Sequence, residues 1–112
     1  MDSTALSDHE STEVVDGVHL VQLAAGDRMS VQHFHIEPGA TVPEHSHEHE
    51  QVGFVYDSAL TFRIDGEEFV IEENDSYSIP GDEPHAAENR TDDPVRGIDV
   101  FSPPRTNPDW QD

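Results

Sequence analysis

Short runs in which apolar and polar side chains alternate recur along the chain, each closed by a turn signal. Alternation with period two marks a half-buried β-strand. Val18 to Ala24 is the first run, and Gly26-Asp27 turns it. Met29 to Ile36 is the second, with Gln32, Phe34 and Ile36 on one face and Val31, His33 and His35 on the other. Phe34 and Ile36 call for an apolar layer, so His35 is expected to face water and His33 either water or a polar pocket. Val52 to Tyr56 and Ala59 to Ile64 flank Asp57-Ser58, and Asp65-Gly66 is a two-residue hairpin turn leading into Phe69 to Ile71. Ser76 to Ile79, His85 to Glu88 and Val95 to Phe101 complete the set, with Glu72 to Asp75, Pro80 to Pro84 and Asn89 to Pro94 as the polar breaks between them.

No segment carries a convincing helical period and no internal repeat is visible. Many short strands with Pro, Gly and Asp turns predict an all-β barrel or sandwich, and a jelly roll of two sheets closes most of the edges. At 112 residues the chain holds one domain with a single core. Residues 1–17, rich in Ser, Thr, Asp and Glu, read as a flexible acidic tail or at most an edge strand docked on a partner. Residues 18–105 form the barrel, and 106–112 are a C-terminal tail.

Charge narrows the partners. Asp and Glu total 25 against five basic residues, all of them Arg, for a formal net charge of −20. Such a surface repels phosphate backbones and anionic lipid, which argues against nucleic acid and membrane. It resembles the surface of a protein from a salt-loving organism, in which salt screens the self-repulsion. The absence of Cys rules out disulfides, thiolate ligands and a catalytic thiol. The N-terminal segment has neither the basic nor the apolar part of a signal peptide, and no apolar run reaches membrane-spanning length, so a cytoplasmic location is the expectation.

The densest chemistry lies between Pro38 and Gln51, where a turn is followed by His45, His47, Glu48, His49, Glu50 and Gln51. On one extended strand, His45 and His47 share a face, and their ring nitrogens converge on one point. Pro38, Gly39 and Pro43 speak against a helix here. A second turn, Pro80 to Pro84, ends at His85, a distant ligand that another strand of a closed sheet can bring to the same point. The plain alternative is a solvated His/Glu-rich loop.

These two stretches resemble the paired motifs of the cupin superfamily: Gly39, His45 and His47 match the first, and Pro80, His85 and Asn89 the second. The resemblance runs from about Met29 to Arg105 and implies a double-stranded β-helix, the jelly-roll barrel. It implies one divalent transition metal (zinc, nickel, manganese or iron) held by His45, His47, Gln51 and His85. Four positions depart from the pattern. Gln51 replaces the usual metal-binding Glu, Ser58 replaces a Gly, and Asn74 and Asp82 stand at two more Gly positions, where Asn and Asp tolerate a left-handed backbone. His49, Glu48 or Glu50 joins the metal if the strand bends differently.

Asp99-Val100-Phe101-Ser102-Pro103-Pro104-Arg105, together with the His-rich run and Gln51, resembles the small KdgF-type cupins of pectin and alginate breakdown, which linearise 4,5-unsaturated uronates. That resemblance implies a small acidic sugar substrate and gives Asp99, Phe101 and Arg105 the catalytic or substrate-contacting roles. Their ordinary readings are a strand-edge acid, a core ring and a surface ion-pair partner. A non-catalytic metal-containing binder of sugars or small acids is one alternative function. A dioxygenase is another, although the carboxylate of a two-His, one-carboxylate iron site is missing at the expected place. Small cupins commonly pair through sheet edges, so a homodimer is expected.

Overall fold

Turns set the frame of the barrel. The computed structural model describes residues 1–105, and the tail expected at 106–112 lies outside the described residues. Asp65 (φ 53°) and Gly66 (φ 78°) both lie in the left-handed region, as the tight turn of a two-residue hairpin requires. Ser58 (φ 66°), Asn74 (φ 71°) and Asp82 (φ 66°), the three residues standing where glycine was expected, are left-handed too. Hydrogen bonds to distant segments tie these turns down: Ser58 Oγ donates to the Pro94 carbonyl, Asn74 N–H to Val55 and Asp82 N–H to His47.

Among the described residues ten strands follow in chain order: β1 (Thr12–Val15), β2 (Val18–Ala25), β3 (Ser30–Ile36), β4 (Thr41–His45), β5 (Glu50–Asp57), β6 (Leu60–Ile64), β7 (Glu67–Ile71), β8 (Ser76–Ile79), β9 (His85–Glu88) and β10 (Val95–Ser102). They form a six-stranded sheet, β1-β2-β3-β10-β5-β8, and a four-stranded sheet, β4-β9-β6-β7. Every pairing is antiparallel. This is the predicted all-β jelly-roll barrel. Val18, Phe34, Ile36, Val55 and Val95 of the large sheet pack against Leu60, Phe62 and Ala87 of the small one, with Ile79 beside them.

Two expectations need correction. Part of the segment read as a tail, Thr12–Val15, is a strand paired with β2 of the same chain, and Val14 packs on the core. Its two adjacent β-branched valines favour an extended backbone that an acidic composition obscures. His45 and His47 do not share a strand, because β4 ends at His45 and His47 lies in the loop beyond it.

Inward residues of the large sheet line up in rows across the strands. Val18–Ile36–Val95 is one row, and Leu20–Phe34–Gly97–Val55 is the next. Gln22–Gln32–Asp99–Gly53–Tyr77 comes third, and Ser30–Phe101–Gln51–Ile79 fourth, towards the end of the barrel that carries the histidines.

Candidate metal centre

His45 closes β4 and stands opposite His85, which opens β9. His47 is brought to them by two contacts between the loops. Asp82 donates its N–H to the His47 carbonyl at 2.7 Å, and Gly81 lies so close to the Glu48 carbonyl that any Cβ there would overlap it. The donor atoms of the three imidazoles fall within 4.8 Å of one another. Ring centroids are 4.4 Å apart for His45 and His85, 5.3 Å for His47 and His85, and 5.7 Å for His45 and His47.

Backbone carbonyls select the tautomer. His45 Nδ1–H donates to Pro43 at 2.9 Å, His47 Nδ1–H to His49 at 3.1 Å and His85 Nδ1–H to Glu83 at 2.8 Å. A carbonyl only accepts, so each Nδ1 carries hydrogen and each neutral ring keeps a lone pair at Nε2. Burial, then the nearby Arg105 and His85, pushes the His47 pKa down to about 4. Burial chiefly lowers that of His85 as well. Neutral imidazole is the form that binds metal.

Gln51 lies on the inner face of β5, in the cavity that His45 and His85 also line. It hydrogen-bonds to Asp99, while its Oε1 is buried without a partner, as is His47 Nε2. A buried acceptor left unmatched costs about 1–3 kcal/mol. A cation would satisfy both atoms, so the donor set fits a metal ion. Glu48 and Glu50 are exposed. His49 packs its ring against His47 and Phe101, and its Nδ1 is buried and unpartnered, yet it stands outside the three-imidazole group. Glu13, His19 and Glu37 also bring donor atoms together, but at the surface, where acids commonly cluster without an ion.

Asp99 is buried on β10, and burial raises its pKa to about 6 against the lowering effect of hydrogen bonds from Tyr77 and Gln51 and of the Arg105 charge. The Tyr77 hydroxyl donates to Asp99 Oδ1 at 2.5 Å. Tyr77 and Asp99 sit on strands either side of β5, with Gly53 between them. Only glycine leaves room, since a Cβ at Gly53 would lie 2.5 Å from Asp99 Oδ1 and inside contact distance of the Tyr77 ring and hydroxyl. Neither Gly53 nor Tyr77 is visible as functional in the chain, because the register that makes them neighbours of Asp99 is a property of the sheet. A glycine inside an otherwise regular strand is the one available hint.

Phe101 is 1% exposed, so the core reading holds, but its ring also meets His47 edge-on at 5.5 Å. The Arg105 guanidinium lies 5.1 Å from the Phe101 ring centroid, and its backbone N–H donates to Ser30 Oγ at 2.8 Å. A cavity of about 300 Å³ is lined by His45, Gln51, His85, Asp99, Phe101 and Arg105, with Phe34, Leu60 and Phe62 forming its apolar floor. His33 faces the other side of the sheet, where its Nε2 shares a hydrogen with the Tyr56 hydroxyl at 2.7 Å. His35 on that face takes the Arg96 Nε–H at 3.3 Å.

The model of the cupin domain matches residues 32–101. The structure of KdgF from Halomonas sp. superposes with a TM-score of 0.85 at 25% identity, covering 96% of this chain and 97% of that one. An RmlC-like cupin from Shewanella frigidimarina gives 0.84 at 23% identity, covering 96% and 95%. The polyketide cyclase RemF from Streptomyces resistomycificus gives 0.81 at 19% identity, covering 91% and 79%. Among curated proteins none matches. Within the described residues no helix is long and apolar enough to cross a membrane.

Proposed function

The chain belongs to the cupin family, and on that premise we propose that it opens the ring of 4,5-unsaturated uronates to give linear keto-uronates. One observation carries the reading: Asp99, Phe101 and Arg105, the residues that the KdgF-type resemblance marks for substrate, line the same cavity as His45, Gln51 and His85. The likeness in fold to the Halomonas KdgF supports it.

A divalent transition metal held by His45, His47, Gln51 and His85 would supply Lewis acidity to a bound carboxylate, with no ligand carboxylate to offset its charge. The protein's own side chains do the rest. Arg105 pairs with the substrate carboxylate or a hydroxyl, and Phe101 offers an apolar face to the ring. Asp99 delivers a proton to C4 while water adds at C5, breaking the C4–C5 double bond. The hemiketal then loses its bond from C5 to the ring oxygen, leaving a ketone at C5 and a hydrated aldehyde at C1 that releases the water. Asp99, with a pKa of about 6, can give a proton and recover it near neutrality.

Mixing unsaturated galacturonate or guluronate with metal-loaded protein at high salt should abolish the ultraviolet absorbance of the conjugated double bond. Asp99→Asn should stop turnover and keep the metal. Persistent absorbance with the native protein rejects the reaction, and an unchanged rate in the variant clears Asp99.

A further inference from the structure

The inner wall of the large sheet changes character abruptly at its third row. Val18–Ile36–Val95 and Leu20–Phe34–Gly97–Val55 are wholly apolar. One step along the strands, Gln22 stands opposite Gln32, Gln32 opposite Asp99, Asp99 opposite Gly53 and Gly53 opposite Tyr77. Tyr77 and Asp99 satisfy one another. The glutamines do not, since Gln32 Oε1 and both the Oε1 and Nε2 of Gln22 are buried with no partner. Gln32 is 6% exposed and lines the cavity shared by Asp99, Phe101 and Arg105.

A carboxamide stripped of water and left unmatched destabilises the folded protein. Leucine would complete the apolar wall begun by Leu20 and Phe34. The amides therefore stand where a solely structural wall would place hydrocarbon, and Gln32 does so inside the cavity, one strand spacing (roughly 4.8 Å) from the proposed proton donor.

We propose that Gln32, backed by Gln22, is the hydroxyl-reading part of the site. The proposal rests on the uronate reading and specifies how the sugar is recognised. A ring that presents C4 to Asp99 and its carboxylate to Arg105 turns its remaining hydroxyl-bearing carbons along the row towards Gln32. The Gln32 amide accepts from one hydroxyl and donates to its neighbour, with Gln22 opposite it on β2. Recognition by a buried hydrogen-bonding group discriminates strongly against an analogue that lacks the hydroxyl, because the amide is then left unmatched. The ligand class is a polyhydroxylated sugar acid rather than a simple carboxylic acid.

The test uses metal-loaded full-length protein with Gln32→Leu and Gln22→Leu. Two readouts are taken: calorimetric affinity for saturated galacturonate and for 2-deoxygalacturonate, and the thermal midpoint. Native protein should bind galacturonate at least tenfold more tightly than the deoxy sugar. Gln32→Leu should bind both alike and melt at the same temperature or higher, and Gln22→Leu should lose a smaller part of the discrimination. With unsaturated galacturonate as substrate, Gln32→Leu should raise KM far more than it lowers kcat. A lower midpoint with unchanged sugar affinity would make the two glutamines a structural pair and overturn the proposal, as would a native protein indifferent to the missing hydroxyl. Gln32-dependent binding of galacturonate without turnover of the unsaturated sugar would sink the proposed reaction and leave this site standing.

Discussion

Gly53→Ala separates a local rule from the structure in a single substitution. In a strand interior, alanine is ordinarily better than glycine by about 0.5–1 kcal/mol, and Gly53 does not need a left-handed backbone. Local propensity alone thus predicts a slightly more stable protein. The structure predicts the reverse, because the new Cβ would lie 2.5 Å from Asp99 Oδ1 and closer still to the Tyr77 ring, where real Cβ atoms are not found. Tyr77 would have to swing away and release Asp99. Overpacking of this kind costs about 1–3 kcal/mol, and losing a hydrogen bond to an ionisable partner adds about 1.5–3 kcal/mol. After subtraction of the alanine gain, the net loss is about 2–5 kcal/mol, and at about 4 °C per kcal/mol for a domain of this size the midpoint falls by roughly 8–20 °C. Thermal unfolding of metal-free protein at high salt, followed by circular dichroism, reads it directly. In a Tyr77→Ala background the ring is gone and the Asp99 carboxylate is free to turn aside, so the same Gly53→Ala change should cost less than about 1 kcal/mol. A Gly53→Ala protein as stable as the native one, or an equal cost in both backgrounds, would refute the reasoning.

Other consequences follow from the same structure. With a net charge of −20, the midpoint should climb as salt rises from about 0.1 M to about 2 M, because screening relieves repulsion between exposed carboxylates; a midpoint indifferent to salt would reject that reading. His33 is held below the usual imidazole pKa, chiefly by burial and then by the charges of His35 and Arg96. The unfolded chain therefore takes up the proton more readily. Its contribution to stability is complete above about pH 6.5 and is lost as the pH falls through the lower folded value. Urea midpoints of a His33→Gln protein should fall less steeply than those of the native protein below about pH 6.5, and parallel slopes would contradict this. His85→Ala should abolish the gain in midpoint on adding a divalent metal, a gain of about 2.7 kcal/mol when the ion is present at 100 times its Kd; an undiminished gain would remove His85 from the site.

The large features of the fold were legible because they rest on local chemistry. Alternation located most of the strands, and Asp65-Gly66 announced its hairpin. Ser58, Asn74 and Asp82 show that short polar residues can stand in for glycine in left-handed turns. Thr12–Val15 was obscured because an acidic, Ser/Thr-rich neighbourhood outweighed two valines in any composition-based reading. The motif spacing marks His45, His47 and His85, but it does not carry the reason His45 and His47 converge. Alternation along one strand does not bring them together; the docking of Gly81 and Asp82 against the loop beyond β4 does. Least visible was the row Gln22–Gln32–Asp99–Gly53–Tyr77. It is assembled from five strands, and antiparallel register between distant segments leaves no mark on any one of them.

Elemental analysis of metal content is the most direct test, because three imidazoles and one carboxamide from three separate segments are held to grip a single cation. Metal-free protein should be incubated with zinc, nickel, manganese and iron in turn, dialysed at high salt, and compared with a Gln51→Leu, His85→Ala double variant. Close to one ion per chain in the native protein, and none in the variant, is the expected result. No retained ion for any of the four metals, or equal retention by both proteins, would contradict it.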